Sequence, residues 1–254
     1  MLKRFFCAIL FVPILVVAAS AQSEWSGFYA GGNVGAALGR STADTSTVFN
    51  PSGYFAVGSV AAIQTAGRQS LSANAFTGGV EAGIQAQSDN DVFGGEIDYD
   101  SLRMSDSAST TVPYPGFAAT SFTIDQSFKT NWMLTARPKY GRVVGAALIY
   151  VTVGLAVTKV DYQAQFSDTF AGASENASVG KTKYGWTGGF GVAFMGPIDH
   201  FSMKGEYLYA DFGRVTMTSA NFTAFAPPIS FANEFTHSMA LHTHVIRAGF
   251  DYHW

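Results

Sequence analysis

Glu96 and Asp98 stand two residues apart in a stretch that alternates apolar and polar residues, so both point to its polar side. Glu81, Glu206 and Asp251 hold the same kind of position in other alternating stretches, and Arg137, Lys139, Lys204 and Arg247 do so with the opposite sign. Paired carboxylates could work as general acid and base. Cations stand opposite these, however, and a charge removed from water is costly unless paired. The near balance of signs therefore favours a buried ion-pair network over a catalytic pair. An ion pathway would instead leave one sign in excess along a wet lumen. The glycines sharing these polar faces leave space, which keeps a narrow passive channel as the alternative.

The second candidate chemistry is imidazole. His237, His242 and His244 fall close together near the end of the chain, and His242 and His244 point to the same side. They could hold a metal or a haem iron. The simpler reading is a set of imidazoles among aromatics at a membrane interface. His237 and Ser238, with Glu234, contain the ingredients of a lipid-cleaving site but not a recognisable spacing. Phosphate-loop, zinc-motif and serine-nucleophile patterns are absent from 22–254. The expectation is a protein that is not an enzyme and needs no cofactor.

The elements that must position these side chains are strands. Ile246, Ala248, Phe250, Tyr252 and Trp254 form one fully apolar face, while Arg247, Asp251 and His253 lie on the other. Oil on one face and polar groups on the other is the pattern of a transmembrane barrel strand. Phe250, Tyr252 and Trp254 also resemble the terminal signal read by the machinery that assembles outer-membrane barrels. The same alternation runs through about 27–39, 75–87, 92–102, 129–140, 146–157, 183–194 and 201–212. Pro138 removes a ladder donor in the fourth of these, where a bulge or a local end of pairing is expected.

Short turns near 88–91, 142–145 and 196–199 alternate with long stretches near 41–72, 103–127, 160–181 and 213–240. Short periplasmic turns and long extracellular loops are the asymmetry of outer-membrane barrels. The expected fold is all-β, a transmembrane antiparallel up-and-down barrel of eight strands spanning 22–254. Residues 54–65 could hide a further hairpin, which would make ten. Tyr114–Phe117 and Phe225–Ile229 are apolar loop tips that could form an adhesive patch or pack over the barrel mouth.

Composition agrees. Charged residues are 13% and aromatics 15%, with 27 glycines, yet no apolar run beyond the leader reaches the roughly 20 residues of a membrane helix. Lys3 and Arg4, the apolar Phe5 to Val17, and Ala19-Ser20-Ala21 read as a signal peptide over 1–21, cleaved after Ala21. Its removal takes away the one cysteine, Cys7, and moves the net charge from −3 toward −5. Disulfide chemistry and nucleic-acid partners are thereby disfavoured. Trp25, Trp132, Tyr140, Tyr207, Tyr209, Tyr252 and Trp254 are expected as interface girdle residues. The loop stretches, rich in Ser, Thr, Ala and Asn, suit contact with lipopolysaccharide, host surfaces or phage.

Several motifs carry a family resemblance. Trp25 to Gly32, Gly78 to Gly83, Gly94 to Asp98, Lys204 to Gly213 and His244 to Gly249 resemble small opacity-type, OmpA-like outer-membrane proteins of alphaproteobacteria, often labelled porins. Pro138 and Trp254 depart from that pattern, since the family usually has an unbroken arginine-rich strand and a terminal phenylalanine. The resemblance implies an eight-stranded barrel supporting the outer-membrane surface. Some relatives are described as haemin-binding.

Overall fold

The computed structural model describes residues 25–254; the expected signal peptide and its cleavage point lie outside them. Alternation dictates the rest. Among the described residues eight long strands form the wall: β1 (Gly27–Thr47), β2 (Gln69–Ser88), β3 (Asp91–Tyr114), β4 (Phe117–Val144), β5 (Ala147–Asp168), β6 (Ser174–Met195), β7 (Phe201–Ser219) and β10 (Phe235–His253). Each pairs antiparallel with its neighbour in sequence, and β10 closes on β1. Two short strands, β8 (Thr223–Ala224) and β9 (Ile229–Ser230), form a small hairpin that pairs β8 with β6 at its extracellular end. The ring is closed at the level of the lipid, where backbone groups find partners within the wall; above it the β2–β3 ladder ends at Gly78 and Ser101 and the β6–β7 ladder at Trp186 and Asp211.

The strands run 19 to 28 residues, about twice the 9–11 that a bilayer requires. Their lower halves carry the outward apolar residues: Phe28, Val34, Leu38, Phe76, Val80, Ile97, Val153, Leu155, Phe190, Met203 and Ile246 are all exposed. Their upper halves are polar outside and packed inside, and stand beyond that band. Much of what reads in the sequence as long extracellular loops is therefore strand. Ser, Thr and Asn alternate with buried residues there and continue the ladders, so polarity outside marks the edge of the lipid rather than the end of the sheet. Residues 54–65 do not hide a hairpin: α1 (Val57–Ala66) covers the barrel mouth. At Pro138 the β3 ladder continues to Gly95, but pairing to β5 lapses between Ala136 and Lys139 with the register kept. Among the described residues no helix is long and apolar enough to cross a membrane.

Candidate functional site

The interior is a column of layers, and each layer follows from which inward residues the register brings level. At the periplasmic end Trp25, Val92, Leu148, Tyr150 and Ala193 form an apolar floor. Trp25 is 2% exposed, which corrects its expected place in the outer girdle. It precedes the first strand and tucks under the barrel end, in edge contact with His253, so strand alternation does not apply to it. The other girdle aromatics hold outward positions, with Trp132 stacked on Tyr99 and Tyr252 against Trp254.

Above the floor lies the ionic layer, and every charged residue expected in it is there and buried. Arg137 meets Glu96 at 2.5 Å, Asp98 at 2.9 Å and Glu206 at 3.1 Å. Arg247 reaches Glu206 at 2.6 Å and Asp98 at 2.9 Å. Lys204 bridges Glu81 at 2.8 Å, Glu96 at 3.1 Å and Asp251 at 3.3 Å. Lys139 sits 3.5 Å from Glu96 with its ammonium over the Tyr29 and Tyr150 rings. Asp100, on the same inward face of its strand as Glu96 and Asp98, joins the set beyond the residues expected in it. Asp100 is fully buried and lies 2.8 Å from Arg247; its inward parity with Glu96 and Asp98 was the available signal.

A barrel of eight strands has an interior just wide enough for its own side chains. The inward glycines do not leave a path through this layer. A Cβ at Gly83 would collide with the Tyr29 ring, and one at Gly191 with Tyr150. The space belongs to two tyrosines, and Tyr29 donates from its hydroxyl to Glu96 at 2.7 Å.

Next comes an apolar layer containing Met104, Phe128, Met133, Val160, Leu208, Phe212, Leu241 and Val245. Beyond it a neutral polar group forms around Gln126. The Tyr162 hydroxyl donates to the Gln126 carbonyl at 2.6 Å, and the Gln126 amide donates to the Gly67 carbonyl at 2.8 Å. His237 belongs here. Its ring lies 2.8 Å from the Thr45 hydroxyl and 3.3 Å from Glu175, and it is fully buried. His242 and His244 instead point outward among Tyr207 and Tyr209, with the Tyr207 hydroxyl 2.6 Å from His244 Nδ1. The three histidines thus lie on opposite sides of the wall by parity alone: 237 is odd, 242 and 244 are even, and the β10 register with β1 runs unbroken past all three. Among the described residues no cluster of three or more His, Cys, Asp or Glu could hold a metal ion.

The mouth is closed by Phe55, Ile63, Tyr114, Phe122, Phe166, Phe222 and Phe235, under α1. Asp168 ties this cap together. It accepts from the Tyr54 hydroxyl at 2.6 Å, the Tyr114 hydroxyl at 2.9 Å and the Ala173 amide at 2.8 Å. Burial and this carboxylate push both phenols well above the usual tyrosine range. The two apolar tips divide between the expected alternatives: Tyr114 packs into the cap, whereas Phe117, Phe225 and Ile229 stay exposed. Outside the wall, the upper halves of β3 to β6 form a polar face with adjoining concavities of about 730 and 550 Å³, lined by residues such as Ser107, Ser127, Gln163 and Ser178.

Comparison with known proteins places this geometry. The profile of the outer membrane protein beta-barrel domain family matches residues 7–253. The 31 kDa outer-membrane immunogenic proteins of Brucella melitensis and Brucella suis are each 28% identical over 231 residues, covering 90% of this chain and 83% of theirs. Among solved structures, the outer membrane protease OmpT of Escherichia coli aligns over 91% of this chain and 97% of its own, with 9% identity and a TM-score of 0.43. Neisserial surface protein A aligns over 90% and 98%, with 12% identity and a TM-score of 0.37.

Proposed function

The chain belongs to the outer membrane protein beta-barrel family, in the outer membrane of Gram-negative bacteria, and we propose that it is a closed, non-catalytic barrel whose work is done on its outer surface. The observation that carries this reading is the filled interior. Apolar floor, ionic layer, apolar layer, Gln126 group and aromatic cap succeed one another over the length of the barrel. An ion crossing it would have to displace Arg137 and Arg247 from several carboxylates each. With one partner gone, the remaining buried charges would be uncompensated, at a cost of about 3–5 kcal/mol.

What remains available is the part that stands beyond the lipid. Its polar face over β3 to β6 and the exposed Phe117, Phe225 and Ile229 suit contact with lipopolysaccharide, host surfaces or phage. The Brucella relatives carry the word immunogenic in their names, which fits a surface seen from outside the cell. Phe250, Tyr252 and Trp254 serve in this reading as the strand that the assembly machinery recognises. Two measurements test the proposal: ion efflux from vesicles holding the folded barrel, and protease access to the upper strands on intact cells. The reading requires no efflux above empty vesicles, together with cleavage or antibody labelling from outside. Efflux, or protection of the upper halves on intact cells, would overturn it.

A further inference from the structure

The basic residues from 25 to 254 are distributed by height, and the distribution points to a ligand. Arg137, Lys139, Lys204 and Arg247 are inside, and Arg142 is at a periplasmic turn. All the others lie on the extracellular half. Several sit immediately above the last outward apolar residue of their strand: Arg40 after Leu38 on β1, Arg103 after Tyr99 on β3, Lys159 after Val157 on β5, and Arg214 above Tyr209 on β7. Lys129 lies just above Trp132 on β4; Lys181 on β6, opposite Val160 at inward parity, stands at the same height and is exposed where β6 is no longer paired with β7. The outward positions of the lipid band below them carry no Asp, Glu, Lys or Arg among the described residues. These cations form a collar around the barrel at the upper edge of the lipid.

The backbone is shaped at the same level. The ladders slip between Ser101 and Met104, between Thr130 and Met133, and between Ala240 and His242. Bulges at barrel rims re-aim side chains. Arg103 occupies one of them with a φ of 24°, a conformation an L-residue rarely adopts. The opposite rim has the opposite character: its turns carry Asp89, Asp91 and Asp199, with Arg142 4.0 Å from Asp91. General snorkelling of cations from an oily surface would furnish both rims equally. The asymmetry selects the outer leaflet.

Some collar charges are already used. Asp44 pairs with Arg68 and Arg214, and Asp161 lies 3.6 Å from Lys159. Arg40, Arg103, Lys129 and Lys181 are exposed and make no ion pair among the described residues. We propose that these cations bind the phosphate groups of the phosphorylated saccharolipid in the outer leaflet. Arginine and lysine are the side chains that suit phosphate, and their height matches the headgroup plane. The inference rests on the surface-barrel reading above and names its lipid partner.

The test uses wild type and the fourfold variant Arg40→Gln, Arg103→Gln, Lys129→Gln, Lys181→Gln. Each is folded into phosphatidylcholine vesicles containing an equal fraction of bisphosphorylated lipid A, dephosphorylated lipid A or phosphatidylglycerol, with divalent cations chelated. Lipid retained after detergent extraction is measured on protein whose heat-modifiable migration shows a folded barrel. Wild type should retain bisphosphorylated lipid A at least about tenfold over the other two, and the variant should lose that excess. Equal retention of the dephosphorylated form would assign the contact to sugar or acyl chains and overturn the proposal. Equal retention of phosphatidylglycerol would overturn the saccharolipid assignment, and an undiminished excess in the variant would overturn the collar. Should the fourfold variant not fold, single Arg40→Gln and Lys181→Gln variants carry the same comparison as partial losses. Efflux from the same vesicles is scored separately, so a leaking barrel overturns the closed reading without altering the lipid result.

Discussion

Arg247 of β10 reaches across the barrel to Asp100 of β3, with 2.8 Å between guanidinium and carboxylate. The two strands are not neighbours: β1 and β2 lie between them. An ion pair that spans the lumen, rather than running along its wall, ties opposite sides together and occupies the centre where a channel would run.

Arg247→Ala should therefore do more than remove one contact. It strips partners from Asp98, Asp100 and Glu206 at once. The expected loss is about 3–5 kcal/mol in urea unfolding from vesicles. A double variant, Arg247→Met with Asp100→Leu, should recover part of it, because an apolar pair leaves fewer stranded charges. If the double variant were as unstable as the single one, the lumen-spanning pair would not be the source of the loss.

The face assignment has its own test at Val153, which is 59% exposed in the lipid band. Val153→Arg should cost about 2–4 kcal/mol near the bilayer midplane and reduce insertion. The same substitution at Gln163, higher on the same outward face of β5, should cost little. Equal penalties at the two sites would mean that the upper strand is also in lipid.

Asp168→Ala should loosen the cap. The Tyr54 and Tyr114 hydroxyls and the Ala173 amide all lose their acceptor, and a buried donor left unmade costs about 1–3 kcal/mol. Hydrogen exchange across 48–68 should rise while exchange in the ionic layer stays as in wild type. Unchanged exchange over α1 would show that the aromatic packing alone holds the mouth shut.

For haemin, the separation of the histidines gives a clear expectation. His237 is inside the wall, and His244 Nδ1 is engaged by Tyr207. Absorption spectra on haemin titration should be the same for wild type and for His242→Ala with His244→Ala. A Soret shift in wild type that the double variant lacks would restore a haem-binding reading to the outward pair.

The lower half of this barrel could be read from the chain because lipid enforces a strict rule there. Val151, Val153 and Leu155 alternate with Thr152 and other inward residues without exception, and inward parity put Glu81, Glu96, Asp98, Arg137, Lys139, Lys204, Glu206, Arg247 and Asp251 in one place. The upper half could not be read in that way. Once outside the membrane, outward positions need only be wettable, so Ser105, Ser107 and Ser109 look like loop although they sit on a strand. Inward residues there, such as Phe122, Phe166 and Phe235, are spaced by the same alternation but are diluted among small residues that serve on either face. His237 and His242 are close in sequence but of opposite parity on an unbroken strand, so they fold onto opposite sides of the wall. Trp25 escapes the rule for a different reason: it precedes β1, where alternation does not yet hold.

The interior is filled from floor to cap, and single-channel recording is the sharpest probe of that filling. Protein folded into planar bilayers, with insertion established by heat-modifiable migration, should give no conductance steps at either polarity. Stable and reproducible steps from the inserted protein would mean the barrel is open, because they require a continuous water path past Arg137, Arg247 and the cap tied by Asp168.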